Sequence, residues 1–178
     1  EDFTTTSCVQ TLATFQFGTM LDRGWTPVKT AGNFYDPATD ANPFGDAAYV
    51  FCSESYTIFD KTGDVTDADN LLEFVADFTD GMKPQVAVKA ASFGAPPINN
   101  AEYWDSYQVI ASLEPITTVE EANAADVIAE VAVSEATTCQ KVTFDLDDKY
   151  AGKVVYIGIR HKYSAEGYTL LIHYVDAT

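Results

Sequence analysis

The stretch Val154–Ala177, VVYIGIRHKYSAEGYTLLIHYVDA, decides the fold class of this chain. Its first ten residues alternate with period two, and β-branched or aromatic side chains occur on both faces, which is the signature of a strand. One face carries Val155, Ile157, Ile159 and His161, and the other carries Val154, Tyr156, Gly158 and Arg160. Because neither face is purely polar, we expect both to be covered, as in a central strand of a sandwich.

A second strand is expected directly after this one. Lys162–Gly167 reads as a polar turn in which glycine supplies positive φ, and Tyr168–Val175 follows as the strand. We expect the two strands to form a hairpin whose register is set by the turn and the core. The two histidines, His161 and His173, would then be candidate cross-strand neighbours. Such a pair can hold zinc beside a carboxylate, but we prefer the interpretation that hydrogen bonds within the sheet satisfy both rings.

The rest of the chain predicts more short strands separated by turn-rich segments. The candidates are Leu12–Phe17, Ala47–Tyr56, Leu71–Phe78, Gln85–Ser92, Asp105–Leu113 and Lys141–Asp147. A capping box of Thr118 and Glu121, followed by apolar residues at helical spacing, predicts one helix over Val119–Val131. Many strands with one helix predict an all-β fold: a jelly-roll-like antiparallel β-sandwich with one short helix in a connection.

Length and composition fit a single domain. The chain has 178 residues, of which 47% are hydrophobic and 13% aromatic, enough to build a core. We assign residues 1–11, which are polar and rich in threonine, to an N-terminal extension or linker, and residues 12–178 to one jelly-roll β-sandwich domain. Three cysteines, Cys8, Cys52 and Cys139, are too few for a disulfide scaffold. One disulfide with a free thiol, or no disulfide, are both compatible with that number.

The net charge of −17 restricts the partners of this chain. It argues against nucleic acid, whose phosphates require Lys and Arg, and against anionic membrane surfaces. No run approaches the roughly 18 apolar residues of a membrane helix, so we expect no membrane insertion. Because the chain begins at Glu1 without a signal peptide, we expect an export signal or anchor upstream and an extracellular or cell-surface location.

The order of these segments resembles the cleaved-adhesin domains of gingipains and their relatives, the MAM-like choice-of-anchor J jelly rolls. The resemblance covers roughly Thr14 to Ala177. The segments that carry it are Gly24-Trp25-Thr26, Asp69-Asn70-Leu71-Leu72, Tyr107-Gln108-Val109-Ile110-Ala111-Ser112 and Lys153–His161. It implies a jelly roll that binds calcium and is displayed on a bacterial surface. At three places where family members carry acids, this chain instead has Gln16, Lys29–Asn33 and Ile172–Tyr174, which lack the carboxylates that calcium prefers.

Two acidic loops offer other places for a metal ion. In the loop Asp60–Asn70 we select Asp67 and Asp69 as candidate calcium ligands, because carboxylate oxygens suit this ion. The loop Ala31–Asp46 is a poorer relative of an EF-hand, since Pro43 interrupts it and no glutamate closes it. The competing interpretation is that these aspartates cap turns. No other cofactor is predicted.

Adjacent rings at a loop edge give the candidate ligand-binding residues, Tyr103 and Trp104. Such rings stack on sugars or anchor a protein partner, whereas the competing interpretation places Trp104 in the core. Arg160, on a central strand of a chain with few cations, is expected to form a structural ion pair with a carboxylate.

No catalytic motif is present: Gly-x-Ser-x-Gly, His-Glu-x-x-His, Gly-x-Gly-x-x-Gly and the phosphate loop are all missing. We therefore predict a non-catalytic extracellular binding module, adhesin-like or carbohydrate-recognising, on a bacterial cell surface. Its partner would be a surface glycan or a protein of a host or neighbouring cell. One alternative is a structural or accessory domain of a larger surface protein without its own ligand. Another is a glycoside-processing enzyme that uses two carboxylates.

Overall fold

A computed structural model describes residues 25–29, 49–54, 68–81, 83–93, 105–133, 140–163 and 169–177. These ranges contain nine strands, one α-helix and one 3₁₀ turn. The strands are β1 (Trp25–Lys29), β2 (Tyr49–Glu54), β3 (Ala68–Asp77), β4 (Gln85–Phe93), β5 (Ser106–Ser112), β6 (Asp126–Ala132), β7 (Gln140–Asp145), β8 (Val154–Tyr163) and β9 (Thr169–Ala177). Helix α1 spans Val119–Ala124, and the 3₁₀ turn spans Asp148–Tyr150. The predicted strand Leu12–Phe17 and the extension 1–11 lie outside the described residues.

Two antiparallel sheets form the sandwich. The five-stranded sheet has the order β1-β2-β9-β4-β7, and the four-stranded sheet has the order β3-β8-β5-β6. Along the chain from β2 to β9, each strand crosses to the other sheet except where β5 is followed by β6. Eight strands divided in this way form a jelly roll, so the predicted fold class is confirmed. Among the described residues no helix has the length and apolarity to cross a membrane.

The predicted hairpin between β8 and β9 is wrong, although the strand Val154–Tyr163 has the predicted bounds. Strand β8 pairs with β3 on one side and β5 on the other, while β9 pairs with β2 and β4 in the opposite sheet. Two apolar faces identify a central strand, but they do not say which strands flank it. His161 and His173 consequently belong to strands of different sheets and are not cross-strand neighbours.

The predicted helix over Val119–Val131 is also too long. The capping box forms, with the Glu121 N–H donating to Thr118 Oγ1 at 3.1 Å and the Thr118 N–H donating to Glu121 Oε2 at 2.9 Å. The helix nevertheless ends at Ala124, and residues 126–132 form β6 against β5. The apolar residues after Ala124 are mostly β-branched, so they also suit a strand. Pairing with β5 outweighs the helical spacing that the sequence shows.

Apolar side chains lie on both faces of the four-stranded sheet. Its inner face contributes Val109, Ile157 and Ile159, each 0% exposed, to the main core between the sheets. A smaller cluster covers its outer face, where α1 packs against the sheet; its members are Leu71, Ile110, Ile116 and Ala122. This arrangement explains why both faces of β8 are apolar.

Candidate functional site

Three of the four site residues predicted from the sequence, Tyr103, Trp104 and Asp67, lie outside the described residues. The fourth, Asp69, lies near the start of β3 and not in a loop, because the strand begins at Ala68. The residue after Trp104, Asp105, is described and is 0% exposed. The structure thus describes one predicted residue, Asp69, and the neighbour of another, Asp105, and each belongs to a polar cluster.

The first cluster is an ion pair on the outer face of the four-stranded sheet. Arg160 is 3% exposed and donates to both oxygens of Asp69, with Nε–Oδ1 at 2.6 Å and Nη2–Oδ2 at 2.8 Å. Its third contact is a bond from Nη1 to Asn123 Oδ1 of α1 at 2.9 Å. The hydrogen bonds from Arg160 lower the pKa of Asp69 below its ordinary value of 3.8. The structural ion pair predicted for Arg160 is confirmed, and it ties α1 to β3 and β8.

This ion pair bears on the predicted calcium site. A cation at Asp69 would share a carboxylate whose two oxygens already accept bonds from a guanidinium. Within the part of the chain that the structure describes, no group of three or more His, Cys, Asp or Glu side chains is placed to hold a metal ion. Calcium binding through Asp67 and Asp69 stays a prediction.

The second cluster is a chain of four polar side chains, three of which are fully buried. Asn70 Nδ2 lies 2.8 Å from Ser53 Oγ, Ser53 Oγ lies 2.7 Å from His161 Nδ1, and His161 Nε2 lies 2.9 Å from Asp105 Oδ1. Ser53, His161 and Asp105 are each 0% exposed, and Asn70 is half-buried. We call these four residues the polar chain.

The Asn70 amide nitrogen only donates, so Ser53 Oγ accepts the bond between them. The roles of the two ring nitrogens of His161 follow its tautomer: when Nε2 carries the proton, it donates to Asp105 Oδ1, and Nδ1 accepts from the Ser53 hydroxyl. Each ring nitrogen has a polar partner. Buried polar groups of this kind cost stability when a partner is removed.

The polar chain joins the two sheets through the core. Ser53 belongs to β2 of the five-stranded sheet, whereas Asn70 and His161 are cross-strand partners in β3 and β8 of the four-stranded sheet. Asp105 directly precedes β5, and its carbonyl accepts a bond from the Val133 N–H after β6 at 3.0 Å. The contact between the sheets is thus polar and directional at this end of an otherwise apolar core.

Ser53, His161 and Asp105 have the residue types of a catalytic triad, but two features oppose a catalytic role. The nitrogens are exchanged, with serine on Nδ1 and aspartate on Nε2, whereas the protease arrangement has serine on Nε2. In addition, Ser53 is 0% exposed, so a substrate cannot reach its hydroxyl. The geometry supports a structural connection between the sheets.

The polar chain marks the end of the sandwich at which four connections begin or end. Ser53 and Asn70 flank the connection of residues 55–67, and Asp105 follows the connection of residues 94–104. His161 lies two residues before the end of β8, from which residues 164–168 lead to β9. The fourth connection, residues 134–139, follows Val133. Two of these connections contain Asp67 and the pair Tyr103–Trp104, which the sequence predicted separately.

The sequence predicted that hydrogen bonds satisfy His161, and this is confirmed, but one of its two partners, Ser53, belongs to the other sheet. The sequence did not identify Ser53, Asn70 or Asp105 as members of this chain of bonds. One signal was present: His161 shares its strand face with Val155, Ile157 and Ile159, and a polar residue on a core face needs a partner. Its partners come from segments far away in the sequence, so the pattern of β8 alone does not identify them.

Comparison with known proteins shows the fold of this chain. The K3 cleaved adhesin domain of Lys-gingipain from Porphyromonas gingivalis W83 is 18% identical, with a TM-score of 0.57 over 86% of this chain and 89% of that domain. The K1 domain is 22% identical, with a TM-score of 0.53 over 87% and 90%. No protein-family model and no curated protein sequence matches this chain. The chain thus shares its β-sandwich fold with adhesin domains that are only 18% and 22% identical to it in sequence.

Proposed function

We propose that this chain is a non-catalytic binding module, adhesin-like or carbohydrate-recognising, which acts outside the cell on a bacterial surface. Its ligand would bind at the end of the sandwich that the polar chain holds. The observation that carries this proposal is the polar chain, in which Asn70, Ser53, His161 and Asp105 are bonded in that order, because it joins residues next to connections of both sheets.

A binding site that is built from loops requires a rigid scaffold of this kind beneath it. Loops carry recognition best when the scaffold below them is rigid, and buried hydrogen bonds hold supporting residues in one geometry. The polar chain supplies such bonds between β2, β3, β8 and the residue that precedes β5. At the opposite end, bonds between separate segments also occur, such as that of the Phe78 N–H to the Lys153 carbonyl at 2.9 Å, but side-chain bonds there, such as that of Gln85 Nε2 to Asp145 Oδ1 at 2.6 Å, are exposed.

The similar structures support the same proposal. The matched domains of Lys-gingipain are named cleaved adhesin domains, and this chain has their fold. An adhesive role and a location outside the cell agree with that likeness and with the net charge of −17, which favours solubility.

We propose Tyr103 and Trp104 as the ligand contacts. Both immediately precede Asp105, whose carboxylate is fixed by His161 at 2.9 Å. Aromatic rings stack on sugar faces and also anchor protein partners, so these two residues suit either kind of ligand. Calcium held by Asp67 and Asp69 is the cofactor that this proposal allows.

A glycan-array screen of the purified chain tests the proposal, run once with calcium and once with a chelator. We expect specific binding that is lost in the double variant Tyr103→Ala/Trp104→Ala. The matched control is Val75→Ala, which truncates a half-exposed residue of β3 away from the polar chain. Binding that survives the chelator would remove calcium from the proposal.

Two outcomes would contradict the proposal. If the array and a panel of cell-surface proteins both stay silent with a folded chain, the alternative of a structural or accessory domain is favoured. If a glycan is shortened during incubation, the alternative of a glycoside-processing enzyme is favoured, and product analysis by mass spectrometry would show it.

A further inference from the structure

Two lysines face each other on the outer face of the five-stranded sheet. Lys89 of β4 and Lys141 of β7 are register partners. They lie on the outer face because Val88 and Ala90, the residues on either side of Lys89, belong to the core between the sheets. Like charges directly opposite each other destabilise a strand pair. Among the strand pairs that the structure describes, this is the only register position at which two side chains of like charge meet.

The described surroundings of Lys89 do not neutralise its charge. Lys89 is half-buried on a strand that has β9 on one side and β7 on the other, and within the described ranges no carboxylate forms an ion pair with its ammonium group. The carboxylate of Asp145, on the same face of β7, is bonded to Lys83 instead. Asp176 of β9 is the register partner of Ala87, so it lies diagonally from Lys89, at about 7–8 Å. An anionic group from outside the chain would supply the missing negative charge.

We propose that Lys89 and Lys141 bind the carboxylate of an acidic sugar on the outer face of the five-stranded sheet. Residues directly opposite in a strand pair have Cβ atoms about 5 Å apart, and each lysine carries its ammonium group on a flexible four-carbon stem. Both ammonium groups can therefore reach one carboxylate, with one group for each oxygen. Such charge-assisted hydrogen bonds are stronger than neutral ones, and the bound anion removes the repulsion between the two lysines.

The groups around the two lysines favour a sugar with one carboxylate over a polyanion or an acidic peptide. Thr143 is exposed on the same face of β7, two residues from Lys141, and its hydroxyl can both donate to and accept from a sugar hydroxyl. Asp176, which is half-buried, can accept from another. The carboxylates of Asp176 and Asp145 and the net charge of −17 would repel a ligand with many negative charges. A single carboxylate accompanied by hydroxyl groups meets each of these groups favourably.

An NMR titration of the full 178-residue chain with glucuronic acid, and in parallel with uncharged glucose, tests this inference. We expect glucuronic acid to shift the amide signals of residues 87–89 and 141–143, and glucose to leave them unchanged. The affinity for glucuronic acid should fall roughly two- to fivefold in Lys89→Gln and in Lys141→Gln, the range for exposed charge pairs. The matched control Lys153→Gln removes the same charge from an exposed position before β8 and should leave the affinity unchanged. Thermal unfolding checks that each variant is folded.

Acetate and a glutamate peptide separate recognition of a sugar from simple attraction of a carboxylate. Thr143→Ala should weaken the binding of glucuronic acid and not that of acetate. Acetate or the glutamate peptide binding as tightly as glucuronic acid, equal binding of glucose, an equal loss in Lys153→Gln, or no shift of residues 87–89 and 141–143 would each overturn the inference. Because this site lies on a sheet face, Tyr103→Ala/Trp104→Ala should leave the binding of glucuronic acid unchanged, so this inference and the proposed function fail separately.

Discussion

His161 Nδ1 in β8 lies 2.7 Å from the hydroxyl oxygen of Ser53 in β2, and this hydrogen bond links the two sheets inside the core. Both residues are 0% exposed. The bond is part of the polar chain, which ends in an amide at Asn70 and in a carboxylate at Asp105. Apolar contacts between two sheets are non-directional, whereas hydrogen bonds between the sheets fix their position relative to each other.

Ser53→Ala should lower the free energy of unfolding by about 1–3 kcal/mol. The substitution leaves His161 Nδ1 without its buried hydrogen-bond partner and removes the acceptor of the Asn70 amide, and unsatisfied buried groups cost this much. Urea unfolding at pH 7 measures the change. The control Ser106→Ala removes a hydroxyl from a half-exposed position at the start of β5 and should cost less than about 0.5 kcal/mol. Equal effects of the two variants would refute the structural role of the polar chain.

The ion pair between Asp69 and Arg160 should make stability depend on acid pH. Because Arg160 holds the pKa of Asp69 below its ordinary value of 3.8, the stabilisation is present above that value and is lost as pH falls through the lower pKa of the folded state. Asp69→Asn should therefore be less stable than the parent chain at pH 7, and the difference should shrink in strong acid. Denaturant unfolding across this pH range measures it. A difference that stays constant with pH would contradict the assignment.

Gly158→Ala should destabilise the chain by about 1–3 kcal/mol, the usual cost of overpacking. A Cβ at this position of β8 would lie 2.7 Å from Ile110 Cγ1 and 2.7 Å from Leu71 Cδ1, beneath α1. The double variant Gly158→Ala/Ile110→Ala tests the cause, since truncating Ile110 relieves one of the two close contacts. Thermal unfolding should show that the double variant loses less than the sum of the single losses. Strict additivity would exclude a clash with Ile110.

Tyr150→Phe should cost about 1–2 kcal/mol, because two acceptors lose the hydroxyl donor that they share. The single proton of the Tyr150 hydroxyl is shared between the Ala111 carbonyl, at 3.0 Å, and the Asp126 carboxylate. Burial and the neighbouring Asp126 raise the pKa of Tyr150, so the hydroxyl keeps its proton and remains a donor. Tyr156→Phe, at a partly buried position of β8, serves as the control in the same unfolding measurement. Similar losses of unfolding free energy in Tyr150→Phe and Tyr156→Phe would show that the destabilisation does not come from the hydrogen bonds of Tyr150.

The sequence predicted local structure best where one pattern had one interpretation. The alternation over Val154–Tyr163 gave the bounds of β8, and the capping box of Thr118 and Glu121 located the start of α1. It failed where one pattern fits two structures. Apolar residues after Ala124 suit a helix or a strand, and only pairing with β5 decides between them.

The sequence by itself determined that this chain is an antiparallel β-sandwich, since period two, turn residues and apolar content are local properties of the chain. The sequence also predicted that Arg160, a cation on a central strand, pairs with a carboxylate. Only the tertiary structure decided which strands are neighbours: β8 and β9 follow each other in the chain but belong to different sheets. The polar chain depends on that decision. Ser53 and His161 are separated by 108 positions, and contacts over such distances arise from how the sheets pack, because no periodicity within either strand specifies a partner in the other.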